Sequence, residues 1–231
     1  ELFAMLFDQE QDPTRDLIET RVQRHQAYRD IEFWTRSKEG ERICLRISGV
    51  STQDDMQHFS GYRGVATNIT ASKIDREVTY KLATTDHLTG LLNRRRFMEE
   101  LERSVSLAKR HDTKGVLMFI DLDRFKEIND THGHEAGDEI LRGVTDIFKK
   151  CFRSTDIIAR LGGDEFAMIM HNIGVPGAQA KVQEVIDRVN AFGVDYKGVK
   201  LTVTMSIGMI VYPQEEKMGE ELMMAADLAM Y

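Results

Sequence analysis

Apolar and polar residues alternate along this chain with two different periods, and the changes of period mark out its elements. Arg42-Ile43-Cys44-Leu45-Arg46-Ile47-Ser48 alternates at every second position, the pattern of a strand with one buried face. Residues 29–34 and 61–70 read as two more strands, and Lys38-Glu39-Gly40 supplies a turn between the first pair. Residues 1–70 are therefore expected to form an antiparallel meander after one or two helices. Between residues 71 and 85 the pattern changes. Ile74, Val78 and Leu82 recur at i, i+4 and i+8 in a charged stretch, which is a helical stripe. A helix this short is marginal alone and needs a surface to pack on. Its own domain and a second copy in a two-stranded coil are both open, since two heptads do not decide between them.

From residue 86 onward the two periods interleave. Phe97, Leu101, Val105 and Ala108 mark one helix face. Gly115-Val116-Leu117-Met118-Phe119-Ile120 is continuously apolar, as expected of a central strand covered on both faces. Ile140, Leu141, Val144, Ile147, Phe148 and Cys151 give a strongly periodic helix, and Val182, Val185, Ile186 and Val189 give another. Leu201, Val203, Met205 and Ile207 alternate as along one strand, and a final helix is expected to begin near Gly219. Two short apolar runs, 157–159 and 166–170, flank Gly162-Gly163 and read as a tight hairpin, because such turns need positive φ. The order helix, strand, helix, hairpin, helix, strand, helix predicts an α+β sheet with helices packed on it.

Composition narrows the classes. The 231 residues allow one large or two small domains, and 42% hydrophobic residues suffice for ordinary cores. A formal net charge of −7 argues against a general nucleic-acid-binding surface. An anionic nucleotide stays compatible with it, because a bound cation changes the local sign. Cys44 and Cys151 are the only cysteines and read as reduced, partly buried thiols. No apolar run approaches the roughly 18 residues of a spanning helix, and no signal peptide is visible. The expectation is a cytoplasmic segment without membrane contact of its own. The chain opens at Glu1 and stops at Tyr231 within a helical pattern, so it reads as a fragment whose parent could carry membrane segments elsewhere.

The candidate chemistry lies at two strand ends. A glycine turn has no side chains, so a flat or phosphorylated ligand can approach its backbone at Gly162 and Gly163. Asp164 and Glu165 follow directly and can hold a hard cation. Upstream, the buried strand ends in Asp121-Leu122-Asp123 and runs into a basic, polar turn containing Lys126. If this strand lies beside the hairpin, Asp121 and Asp164 converge, and two carboxylates with water suit Mg²⁺. Lys126 can neutralise phosphate. The bland alternative is a solvated Asp-rich cap. Asp138 is expected in the first turn of the periodic helix, where the dipole favours an acid. It and Asn129 also suit the donor and acceptor pattern of a guanine edge. His132 and His134 are set aside as metal ligands, since the acids define a hard-cation site.

These residues, in this order, resemble GGDEF diguanylate cyclases. The likeness rests on Asp86-His87-Leu88-Thr89-Gly90-Leu91-Leu92-Asn93-Arg94-Arg95, residues 119–130, residues 133–138, Gly162-Gly163-Asp164-Glu165-Phe166, Thr204-Met205-Ser206-Ile207-Gly208 and Ala226-Asp227-Leu228-Ala229-Met230-Tyr231. It implies a nucleotidyl-cyclase-like (ferredoxin-like), mostly antiparallel sheet with packed helices over residues 86–231. It also implies condensation of two GTP into cyclic di-GMP and two pyrophosphates with Mg²⁺ or Mn²⁺, across a symmetric homodimer. By the same resemblance Asp121, Asp164 and the Leu122 carbonyl are metal ligands. Asn129 and Asp138 read guanine, Lys126 and the backbone around Phe125 contact phosphate, and Glu165 is tied to catalysis. Arg153-Ser154-Thr155-Asp156 is similar to the family's inhibitory motif, which implies a cyclic di-GMP site at Arg153 and Asp156. Family members carry a lysine and an arginine for the triphosphate shortly after the position of Tyr231, where this sequence has ended. Residues 1–70 resemble the C-terminal part of a PAS sensor domain, on Phe33-Trp34, Gly61-Tyr62-Arg63-Gly64-Val65 and Asn68-Ile69-Thr70, with Asn68 in place of the usual aspartate. Residues 71–85 then form a helical linker. A module that binds GTP or cyclic di-GMP without turnover and signals to a partner is the competing expectation.

Overall fold

The structure is a computed structural model that describes residues 13–214 and 218–230. The chain divides into two compact units, Glu1–Tyr80 and Lys81–Tyr231. Residues 1–12 of the sequence-derived sensor segment, and the terminal Tyr231 of the last motif, lie outside the described residues.

In the N-terminal unit a helix, α1 (Pro13–Gln23), precedes three strands, β1 (Tyr28–Arg36), β2 (Arg42–Gln53) and β3 (Phe59–Asn68). The strands pair antiparallel in the order β1-β2-β3, the meander that the alternation predicts. Ile18 of α1 packs with Ile31 and Phe33 of β1, and Val22, Leu45 and Ile47 join them. The long helix α2 (Thr70–Thr84) follows. Its start is tied down by Asn68, whose Oδ1 accepts from the Thr70 amide at 3.0 Å and the Thr70 hydroxyl at 2.6 Å. An aspartate would accept the same two bonds, so asparagine at this position keeps the same local geometry. The stripe residues Ile74, Val78 and Leu82 are 48%, 49% and 69% exposed.

The second unit contains α3 (Arg94–His111), β4 (Gly115–Asp123), α4 (Phe125–His132), α5 (His134–Cys151), β5 (Ile157–Gly162), β6 (Glu165–Met170), α6 (Val175–Ala191), β7 (Val194–Tyr196), β8 (Val199–Leu201), β9 (Thr204–Tyr212) and α7 (Gly219–Leu228). Four strands form one antiparallel sheet in the order β5-β6-β4-β9, and β7 with β8 forms a separate hairpin. β4 is buried from Gly115 to Ile120 because helices cover both its faces. Val116, Met118, Ile120 and Leu122 point into a core shared with α5 and α6. Leu117 and Phe119 point the other way, into a core with Phe97, Leu101 and Val105 of α3 and with Leu222 and Ala226 of α7. Strand alternation therefore sends Asp121 to the α3 and α7 side of the sheet.

Two local expectations are corrected. Residues 125–132 are a short helix rather than a polar turn, entered through Arg124 in the left-handed region (φ 57°, ψ 23°). The alternating run from Leu201 to Ile207 is not one strand. Leu201 closes β8 and β9 begins at Thr204. Leu201, Val203 and Met205 are all buried in the same core, so side-chain periodicity continues across a break in the hydrogen-bonded ladder.

Candidate active site

The site is assembled where three strands of the main sheet end. Asp121 near the end of β4 stands directly opposite Glu165, the first residue of β6. Asp164 lies in the hairpin just before it, and its carbonyl accepts from the Leu122 amide at 3.3 Å. The turn takes positive φ at both glycines, 156° at Gly162 and 50° at Gly163, a backbone that favours glycine. The strands slip register between Arg160 and Gly162, which places both acids beside β4. Burial, followed by the charges of Asp164, Glu165, Asp123 and Asp227, pushes the Asp121 carboxyl up to about 6. Burial disfavours the charged form of a carboxyl, and like charges close by add to the effect. Arg94, at the start of α3, approaches Glu165 at 3.8 Å, and both side chains are well exposed, so it screens the cluster only weakly.

This donor set fits a hard divalent cation. The groups are all oxygens, they repel one another, and a cation among them removes that repulsion. Leu122 has a fully buried side chain, so its backbone alone can serve. No cluster of three or more His, Cys, Asp or Glu residues among the described residues is arranged as a metal cage. Two carboxylates and a carbonyl would leave positions for water, the way Mg²⁺ is usually held.

Both carboxylate oxygens of Asp123 are engaged by β9. The Thr204 hydroxyl donates to Oδ2 at 2.5 Å and the Ser206 hydroxyl to Oδ1 at 2.7 Å. The two aspartates of Asp121-Leu122-Asp123 are thus unlike, and sequence alone does not separate them.

The second arm of the site is the α4–α5 pair. Phe125 is buried and Lys126 is exposed. Asn129 Oδ1 is buried with no hydrogen-bond partner, an acceptor that costs stability until a donor reaches it. Gly137 of α5 lies against this amide. A Cβ there would overlap Asn129 Oδ1 and come within 2.9 Å of Phe125 Cζ. Asp138 follows in sequence, and Arg142 lies at 4.0 Å from it. Because α5 begins at His134, its first-turn acid is Glu135, and Asp138 starts the second turn. The dipole account of Asp138 is weakened accordingly, since the effect fades within the first turn.

A strut that the sequence reading missed holds the hairpin. Arg160 donates to the Gly163 carbonyl from Nε at 2.9 Å and from Nη2 at 2.7 Å. Its Nη1 reaches Asp86 Oδ1 at 3.1 Å. Asp86 in turn accepts from the Thr89 amide at 2.9 Å and the Thr89 hydroxyl at 2.6 Å. Burial opposes the Asp86 charge, but the Thr89 bonds and Arg160 outweigh it and hold this carboxyl below its ordinary value. The available signal was an arginine two residues before a glycine pair, together with an acid in the Asp86-x-x-Thr89 turn.

Arg153 and Asp156 lie apart from these groups. The Arg153 amide donates to Asp156 Oδ2 at 3.0 Å, and the Asp156 amide to the Arg153 carbonyl at 3.0 Å, so the motif closes on itself as a turn. It borders a cavity of about 410 Å³ with Gly90, Lys149 and Ser154. The turn precedes β5 and the glycine hairpin ends it, a separation of roughly 20 Å at strand rise.

Comparisons with known proteins agree with this layout. Residues 83–231 match the family model described as diguanylate cyclase, GGDEF domain. The chain is 33% identical over 203 residues to "Probable diguanylate cyclase DgcE" of Escherichia coli (strain K12), covering 87% of this chain and 18% of that protein. It is 35% identical over 168 residues to diguanylate cyclase A of Treponema denticola, covering 71% of this chain and 45% of that protein. The chain thus spans less than half the length of either relative. Among solved structures, the coiled coil and GGDEF domain of DgcB from Caulobacter crescentus, in complex with c-di-GMP, superposes with a TM-score of 0.64 at 30% identity, covering 70% of this chain and 88% of that one. The acid-bearing strand ends, the glycine hairpin and the family match over residues 83–231 place this chain in the GGDEF diguanylate cyclase family.

Proposed function

We propose that the protein condenses two GTP into cyclic di-GMP and two pyrophosphates. The observation that carries this reading is the convergence of Asp121, Asp164 and Glu165 at one sheet end, where burial first and the neighbouring carboxylates second push the Asp121 carboxyl up to about 6. A carboxylate trio around a glycine turn is costly for a fold unless a cation and a phosphate chain occupy it.

Asp121, Asp164 and the Leu122 carbonyl would hold Mg²⁺ or Mn²⁺, which when bound offsets phosphate charge and stabilises the developing alkoxide and leaving group. The chain's own residues do the rest. Asn129 offers its buried acceptor, and Asp138 a carboxylate, to the N–H groups of guanine. Lys126 and the backbone at Phe125 neutralise and orient the phosphates. The bare backbone of Gly162 and Gly163 lets the nucleotide lie close to the sheet. Glu165, opposite Asp121, is the carboxylate assigned to the proton of the attacking hydroxyl. In each half-reaction a 3′ oxygen bonds to the α-phosphorus of the other nucleotide. The bond from that phosphorus to the β-phosphate bridge breaks, and pyrophosphate departs.

One chain holds one GTP, so two chains must meet with their sites facing. Holding both reactants is the largest kinetic contribution such an assembly makes, and two equivalent bonds in the product suit a two-fold dimer. The exposed stripe on α2 is the surface assigned to pairing. Arg153 and Asp156 are assigned to product feedback, and the N-terminal unit to a PAS-type sensor that sets activity. The experiment is incubation of the full-length protein with GTP and Mg²⁺, followed by mass spectrometry. Cyclic di-GMP from the parent and none from Asp164→Ala supports the cyclase. Tight binding of GTP or cyclic di-GMP by the parent without turnover supports a non-catalytic module instead.

A further inference from the structure

We propose that Asp123 is a positioning residue, the joint that keeps the metal-binding and base-binding arms in one geometry through the hydroxyls of Thr204 and Ser206. The inference rests on the cyclase reading of the same cleft and assigns a task to residues that reading leaves idle.

Asp123 is the last residue of β4 and stands opposite Thr204 of β9, and Asp121 stands opposite Ser206. Strand alternation puts all four side chains on one face, where they line a cleft of about 690 Å³ with Arg124 and Met230. The hydroxyl bonds at 2.5 and 2.7 Å fill one position on each oxygen of Asp123. Hydroxyl-to-carboxylate bonds of this length are among the stronger ones a protein makes. Thr204 and Ser206 are rooted in the same strand, so they hold the carboxylate across two positions rather than at one.

The chain on either side explains why a joint is needed here. On one side is Leu122, whose carbonyl is assigned to the metal, then Asp121. On the other is Arg124, which takes a left-handed conformation (φ 57°) to begin α4 with no side-chain cap. A non-glycine residue keeps such a conformation only when its surroundings hold it. α4 then carries Phe125, Lys126 and Asn129. One pinned residue therefore separates the groups for metal from those for phosphate and base. Loss of the pin frees both arms together, although neither Thr204 nor Ser206 is assigned a contact with nucleotide.

The test compares four versions of the full-length protein: the parent, Asp123→Ala, Asp123→Asn and the pair Thr204→Val/Ser206→Ala. Asparagine is the conservative rescue. Its Oδ1 accepts from one hydroxyl and its Nδ2 donates to the other, so both bonds survive while the charge is lost. Mn²⁺ affinity, GTP affinity and turnover are measured on each, with circular dichroism confirming the fold. Asp123→Ala and the hydroxyl pair should each weaken Mn²⁺ binding by about 10–100-fold, the usual effect of removing a group that orients a ligand. GTP affinity should fall with it. Asp123→Asn should stay within about fivefold of the parent. If Asp123→Asn is as damaged as Asp123→Ala while Thr204→Val/Ser206→Ala is normal, the carboxylate acts by its charge and the positioning role is overturned. A parent that makes no cyclic di-GMP defeats the cyclase reading, whereas the two affinities still decide the role of Asp123. Equal affinities in all four versions would remove it.

Discussion

Asn129 and Gly137 show how much of the site depends on single atoms. The Asn129 acceptor is buried and unpartnered, so a guanine N–H that reaches it relieves a cost already present in the folded chain. Adenine presents no donor pattern matching both Asn129 and Asp138. Asn129→Ala should therefore reduce the preference for GTP over ATP by about 10- to 100-fold, read from competitive binding of the two nucleotides. Unchanged base preference would reject its role. Gly137→Ala tests the same pocket from the other helix. The added methyl collides with Asn129 and Phe125, and overpacking of this kind typically costs about 1–3 kcal/mol. A lower melting temperature and weaker GTP binding are expected, with both measured on one preparation. At this scale the sequence revealed which residue types could read a base. It did not reveal that Gly137 must be small, because that follows from how closely two helices approach, and no local pattern encodes an inter-helix distance.

At the scale of elements, the glycine hairpin is held by the side chain that precedes it. Arg160 donates to the Gly163 carbonyl and to Asp86, and Asp86 is fixed by Thr89. Arg160→Ala removes two bonds to the turn that presents Asp164 and Glu165, together with the link from that turn to Asp86. Turnover should fall by about tenfold or more, as small misplacements near reacting atoms do, while GTP affinity, assigned in the proposal largely to α4 and α5, changes less. A loss confined to affinity would contradict this division. Most elements were legible because burial leaves a period: 2 along β2 and 3.6 along α3 and α5. The central place of β4 followed from its unbroken apolar run, covered by helices on both faces. Three features escaped. α4 is only eight residues long and polar on most of its surface, so its period was hidden behind the acids and bases that drew attention. The β7–β8 hairpin is three residues a side, too short to show alternation. The break between β8 and β9 left the burial of Leu201, Val203 and Met205 unchanged, so side-chain pattern alone ran through it.

For the whole molecule, the proposed condensation requires two nucleotides, and one chain is assigned one site. Ile74, Val78 and Leu82 are each about half exposed or more, a cost that pairing with a second copy would offset. Val78→Asp should weaken self-association by about tenfold or more, since burying an unpaired carboxylate in such a seam is unfavourable, and specific activity should then rise with protein concentration. Analytical ultracentrifugation and a dilution series check both. Parent-like association would move the pairing surface elsewhere. The site at the strand ends underlies every one of these effects, and it makes one spatial demand. A crystal of the full-length protein grown with Mn²⁺ and a non-hydrolysable GTP analogue, measured for anomalous scattering, tests it directly. The expected result is a Mn²⁺ peak bonded to carboxylate oxygens of both Asp121 and Asp164. A nucleotide-bound structure in which those two carboxylates share no cation, with the metal bound elsewhere, would contradict the account.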